Sequence, residues 1–358
     1  MQEKRIESLS YLRVFATFAI ILLHTLFTAS SIYGSEIGFS NNLILIILVN
    51  CSMWAVPLFL MVTGSLLLQR NKKITFAKVF KTYVFRILLA LTIFAFIYNI
   101  FDVITNKENF SISIIINTIW KIYSGNSWNT LWYLYMLIGI YILLPFYKKI
   151  INYSNAQELR YLLVVYIVFL SILPFLGTAG FASGFYVDFL TIYPFYLLLG
   201  YVIYTGIIKL NVIVSVIPGI VGTALISVLT YIRYTNEILY LDALWSYSSL
   251  LVIMQAVSIF SLTFHLKREY ANDETIVVKK NRSQYSLIYK LIKELDSCSF
   301  GIYLIHIIFV KLFFVNLQIN PFIGNPIFNF FSLIIGNLFL SYIITKVCKY
   351  IPLLNKVL

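Results

Sequence analysis

Arg13 and His24 stand eleven residues apart in the first apolar stretch, Tyr11-Leu12-Arg13-Val14 through Leu23-His24-Thr25. At about 100° and 1.5 Å per residue, a helix places both on one face, about 20° from alignment and about 16 Å apart along the axis. An ionisable side chain inside a membrane span is costly, so each marks a candidate site. Arginine supplies a permanently charged fork for an anion. A histidine about 16 Å deeper could act as general base on an acceptor hydroxyl. One ligand suits that spacing: a carrier with an anionic head and a long thin arm ending in a reactive group. Acyl-coenzyme A has this shape. Taken alone, the pair also fits an arginine snorkelling to headgroups and a histidine bonded to a neighbouring carbonyl.

Other chemistry-bearing residues are few. His306 lies eight residues into the ninth apolar run, where it either lines a reaction cavity or caps a helix–helix hydrogen bond. Asp188 opens the sixth run on the expected outer side and could bind a sugar hydroxyl; a carboxylate at a helix N-terminus is also favourable by itself. Lys311 is placed to reach outer headgroups, and His265 opens a polar loop. Three scattered histidines and no clustered carboxylates build no metal site. Cys51, Cys298 and Cys348 have neither metal nor disulfide spacing and read as buried thiols.

The elements that must position these residues follow from composition. The 358 residues are 60% hydrophobic and only 11% charged, with a mean hydropathy of +0.88. A soluble domain carries about 25% charged residues. So few charges cannot clothe a water-facing surface, which excludes soluble enzymes, disordered tails and nucleic-acid binders. The fold class is all-α integral membrane: continuous apolar runs call for helices, since barrel strands would alternate over about ten residues.

A helix needs about 20 apolar residues to cross the hydrocarbon core. Ten runs qualify: 11–31, 41–68, 80–101, 128–147, 160–176, 185–204, 210–231, 243–264, 298–317 and 327–350. The first exceeds the 7–15 residues usual for a signal-peptide core and lacks a small-x-small cleavage site. With the N-terminus inside, the cytoplasmic segments hold 21 of the 27 Lys and Arg and the opposite loops hold three, Lys107, Lys121 and Arg233. That asymmetry places both termini in the cytoplasm. Trp120, Trp128, Trp132 and Trp245 fall near the expected outer interface, where indoles favour headgroups. The chain reads as a single membrane domain, 1–358, whose one long polar loop is 265–297. Within that loop Ile288, Leu291, Ile292 and Leu295 recur at helical spacing, an amphipathic helix for the inner leaflet.

Several stretches resemble the acyltransferase-3 family of bacterial integral-membrane O-acyltransferases. Ser10-Tyr11-Leu12-Arg13 through His24-Thr25 resembles its first helix, which carries an Arg, ten residues, then a His. Val56-Pro57-Leu58-Phe59-Leu60-Met61-Val62-Thr63-Gly64-Ser65 resembles its second helix. Leu131-Trp132-Tyr133-Leu134-Tyr135-Met136 with Gly139, Tyr141 and Pro145 resembles its fourth, and Ser299-Phe300-Gly301-Ile302-Tyr303-Leu304-Ile305-His306 the start of a late one. By this resemblance His24 is the catalytic histidine and Arg13 its essential partner. The family also carries a basic cluster, often Arg-x-x-Arg, at the start of the third helix. Here Lys78, Lys81 and Arg86 occupy that stretch, with Tyr83 where the first Arg would fall. By the resemblance Arg86 is then a coenzyme-phosphate contact and Lys81 a substitute for the missing arginine, while ordinary positive-inside anchoring accounts for Lys78 and Lys81 equally well.

The resemblance implies a bacterial plasma-membrane enzyme that moves an acyl group from cytoplasmic acyl-coenzyme A, acetyl-coenzyme A above all. The acceptor is a hydroxyl of a cell-envelope glycan or lipid-linked sugar. Only about eight residues follow the last run, too few for the hydrolase-like domain of some members, so acceptor acylation is expected in the membrane domain or on a partner enzyme of envelope polysaccharide synthesis. The competing reading is a transporter or flippase of a lipid-linked glycan or small anion, with Arg13 and His24 binding substrate or coupling protons. The lack of a carboxylate deep in any run weighs against proton coupling.

Overall fold

In hydrocarbon every backbone N–H and C=O must be bonded within its own segment, so long apolar runs close into helices. The computed structural model describes residues 2–178, 180–181, 183–185, 191–272 and 282–358, with the side chains of 2–6, 265–272 and 282–286 set aside. The described residues contain helices and no strands. In chain order the main helices are α1 (Gln2–Tyr33), α2 (Phe39–Asn50), α3 (Ala55–Leu67), α4 (Phe85–Thr105), α5 (Ile112–Ser124) and α6 (Trp132–Tyr153). They continue with α7 (Ala156–Ile167), α8 (Ile192–Thr205), α9 (Val212–Asn236), α10 (Leu250–Asn272), α11 (Arg282–Lys311) and α12 (Pro326–Cys348). Among the described residues nine spans are long and apolar enough to cross a membrane. The remaining expected span, the sixth, is described as the shorter helix α8, with residues 186–190 outside the described set.

Three local differences from the sequence expectation have physical causes. The second span is broken at 51–54 into α2 and α3, and Ser52 turns its hydroxyl back to the Leu48 carbonyl at 2.8 Å. Segment 112–124, read as outer loop, is the helix α5, exposing Ile112, Ile116, Trp120 and Tyr123 along its apolar side. That is the pattern of a helix lying in a membrane interface. The amphipathic stretch 288–295 is no separate surface helix: α11 runs unbroken from Arg282 to Lys311, because no Gly or Pro precedes Gly301.

The chain divides into two units. The first comprises residues 1–69, 154–299 and 320–336. Within it α3 and α8 pack backbone to backbone. A Cβ on Gly64 would overlap the Leu197 carbonyl, and one on Gly200 the Met61 carbonyl. The Ser65 hydroxyl donates across the same seam to the Gly200 carbonyl at 3.0 Å. Close approach at small residues is how helices associate where lipid removes the hydrophobic drive. On another seam the Asn50 side chain donates to Thr230 Oγ1 at 3.1 Å.

The second unit comprises residues 70–153, 300–319 and 337–358. Its third span begins with a short turn, Phe76–Lys78, then a π-helical segment, Val79–Val84, before α4. The buried Tyr98 hydroxyl donates to the Leu304 carbonyl, and Asn337 Nδ2 donates to the His306 carbonyl at 3.1 Å. These polar clamps fix α4 and α12 against the 300–311 part of α11.

Candidate functional site

The unbroken helix α1 carries both Arg13 and His24, so the shared face expected from their spacing is realised in the first unit. Arg13 does not snorkel freely. Its Nη2 donates to Asp296 Oδ2 at 2.7 Å, and its Nε lies 2.7 Å from Oδ1, a two-pronged ion pair. The Arg13 side chain is 32% exposed and that of Asp296 10%. The Ser10 hydroxyl also bonds to Asp296, and Thr17 Oγ1 ties back to the Arg13 carbonyl at 2.8 Å. Asp296 therefore takes one edge of the guanidinium fork, the edge formed by Nε and Nη2. His24 is half-buried, and next to it Thr25 is buried with its hydroxyl on the Ile21 carbonyl at 2.7 Å.

Asp296 went unnoticed in the sequence because its partner lies 283 residues away. The available signal was one acidic residue at the start of a late apolar run, in a chain whose first run holds an arginine. Asp296 and Asp102 lie within the candidate spans of the structure, just beyond the apolar runs 298–317 and 80–101 read from the sequence.

A cavity of about 540 Å3 in the same unit lies between α9 and α10, lined by Gly219, Thr223, Gln255, Ser258 and Trp54 among others. Trp54 stacks on Phe15, with ring centroids 5.0 Å apart. Phe15 lies about 200° around α1 from Arg13. Trp54, which lines the cavity, thus packs on the flank of α1 away from Arg13 and His24.

In the second unit, Arg86 donates from Nε to the Val357 carbonyl at 2.7 Å and from Nη2 to the Leu358 carbonyl at 3.0 Å. Its guanidinium carbon sits 5.5 Å from the centroid of the Phe300 ring. Like Arg13, it is anchored by one edge. Lys81 is exposed on the π-helical segment. His306 is fully buried, and its Nδ1–H donates to the Tyr303 carbonyl at 2.6 Å. Around it Tyr303 donates its hydroxyl to the Thr130 carbonyl at 2.6 Å and meets Tyr133 edge-on. That environment is a packed interior. Asp188 lies outside the described residues.

Lys311, expected to reach outer headgroups, is paired within the protein. Its ammonium lies 2.6 Å from Asp102 Oδ1 and 4.6 Å from the centroid of Trp128. Trp128 Nε1 donates to the other oxygen, Oδ2, at 2.8 Å, and Tyr98 stacks on the indole at 4.3 Å. Asp102 meets two donors at once.

In comparison with known families, the model described as an acyltransferase domain, Acyl_transf_3, matches residues 6–346. No curated protein and no solved structure matches.

Proposed function

The chain belongs to the Acyl_transf_3 family of membrane acyltransferases, and from that premise we propose that it transfers an acyl group, acetyl above all, from acyl-coenzyme A to a hydroxyl of a cell-envelope glycan or lipid-linked sugar. The observation that carries this reading is the one-edged anchoring of Arg13 on the same unbroken helix as His24. Asp296 fixes the plane of the guanidinium, and the Nη1 side takes a phosphate oxygen of the coenzyme. A planar, pre-oriented fork loses less freedom on binding than a flexible ammonium would. About 16 Å along the helix axis, the span of an extended pantetheine arm, His24 receives the acceptor hydroxyl.

In the reaction His24 takes the hydroxyl proton as the oxygen attacks the thioester carbonyl. The new C–O bond forms, the C–S bond breaks, and the proton passes to the coenzyme thiolate. By the family resemblance Arg86 and Lys81 are further coenzyme contacts, a reading that rests on their positions in the sequence. The 21-to-3 distribution of basic residues supports a cytoplasmic entry for the donor, both termini inside, and a bacterial plasma membrane as the setting.

The test is transfer of radiolabelled acetyl groups from acetyl-coenzyme A to envelope glycans in membranes holding the wild type or His24→Gln. Label reaching the glycan with the wild type alone is the expected result. Equal labelling by the variant would remove His24 from the chemistry.

A further inference from the structure

The cavity between α9 and α10 belongs to the membrane-spanning part of the first unit, and the acyl-transfer reading does not use it. The two helices approach closely beside it. A Cβ on Gly222 would stand 2.9 Å from the Leu251 carbonyl oxygen, and one on Gly219 would stand 2.2 Å from the Ser258 hydroxyl. The Ser258 hydroxyl is therefore turned toward Gly219, and both residues line the cavity. The lining, all among the described residues, contains no Lys, Arg, His, Asp or Glu. Ile220 also lines it and is 64% exposed, so the cavity opens sideways toward hydrocarbon. Its volume of about 540 Å3 falls in the range of small-molecule sites, roughly 300–1,000 Å3.

One polar group in this apolar setting is left unsatisfied. Gln255 is 2% exposed, and its Nε2 donates to Thr223 Oγ1 at 2.8 Å and to the Cys51 carbonyl at 3.4 Å. Its Oε1 is buried and has no hydrogen-bond partner. Turning the amide over exchanges the two atoms and leaves Nε2 short of an acceptor instead. Hydrocarbon chains cannot relieve that cost. A hydroxyl can, because it both donates and accepts: it gives its proton to Oε1 and takes one from Ser258 or Thr223. The terminal torsion of a glutamine side chain is broad, so the amide turns to an entering hydroxyl at little cost. A charged headgroup would be buried here without an opposite charge. The occupant that fits is an uncharged lipid with a free hydroxyl.

We propose that the α9–α10 cavity binds a neutral lipid alcohol, its hydroxyl on the Gln255 amide and its hydrocarbon along Ile220 and Trp54. Trp54 packs on the flank of α1 away from Arg13 and His24, so the site is independent of the proposed acyl transfer.

The experiment is photolabelling of the full detergent-purified chain with a diazirine-bearing octadecanol, mapped by peptide mass spectrometry. Adducts should concentrate on 216–224 and 255–262, the two stretches that line the cavity. Octadecanol or dioleoylglycerol should displace the probe, and the stronger of the two names the class of alcohol. Octadecyl methyl ether, the same chain without the donor, should compete about tenfold less well, the worth of one hydrogen bond. Gln255→Leu should weaken labelling by a similar factor. Ile220→Trp fills the mouth from an exposed position and keeps the test clear of any misfolding at the buried glutamine; labelling should fall with thermal unfolding unchanged. Equal competition by the methyl ether, labelling unaltered in both variants, or adducts spread evenly over the lipid-facing helices would overturn the proposal. Displacement by dioleoyl phosphatidylcholine as strong as by either alcohol would assign the cavity to ordinary phospholipid and overturn it as well.

Discussion

Each unit contains a cation paired with a distant aspartate, and the two pairs are built differently. In Arg13–Asp296 the carboxylate takes one edge of a five-donor fork, leaving the arginine with donors to spend. In Lys311–Asp102 the ammonium sits over the Trp128 face, and the indole N–H takes the second carboxylate oxygen. Tyr98 closes the far side of the indole. The first pair holds a cation in place while keeping it usable; the second satisfies its aspartate and walls it in with aromatic rings. The difference teaches that an intramembrane charge is a candidate site when its partner leaves one edge open, and a structural clamp when aromatic rings enclose the pair.

The sharpest break in that comparison is at His24, which shares α1 with the usable arginine. His24→Ala should lower turnover by about 10²–10⁴-fold, the usual worth of a general base, with the folded yield unchanged. Turnover within threefold of wild type, measured by acetyl release from acetyl-coenzyme A, would contradict it. Next comes Asp296→Asn, which keeps the shape but removes the charge that orients Arg13. Coenzyme affinity should fall about tenfold while catalytic rate at saturation holds. A changed rate with unchanged affinity would place Asp296 in the chemistry instead.

The clamp should behave in the opposite way. Asp102→Asn should cost about 1–2 kcal/mol of stability, read as earlier thermal unfolding in detergent, with activity per folded molecule retained. The smallest effect belongs to Trp128→Phe, which removes the N–H bond to Asp102 but leaves a ring beneath Lys311, costing about 1 kcal/mol. If that variant lost activity at full stability, the aromatic enclosure would have a functional role and the contrast would fail.

The sequence displays what is periodic and hides what is distant. Runs of apolar residues fix the spans because hydrocarbon admits little other than closed helices. The Arg13–His24 face is legible because a helix turns by a known angle. Asp296 and Asp102 are invisible by the same reasoning, since no local rule pairs residue 13 with 296 or 311 with 102. The seam at Gly64 and Gly200 is likewise tertiary: each glycine reads as ordinary until its Cβ is found to overlap a carbonyl of the facing helix. The continuity of α11 could have been read, because nothing between Arg282 and Phe300 breaks a helix. Its amphipathic spacing drew attention to a surface helix instead. Arg86 shows the converse: its type and position suggested a ligand contact, while only the fold reveals the Val357 and Leu358 carbonyls on its inner edge.

The most direct test is calorimetric titration of acetyl-coenzyme A into the detergent-purified protein, comparing wild type, Arg13→Ala and His24→Ala. The division of labour along α1 predicts micromolar binding by wild type, near-equal binding by His24→Ala, and loss of binding by Arg13→Ala. Binding by Arg13→Ala as tight as wild type, or none by folded wild type, would contradict it.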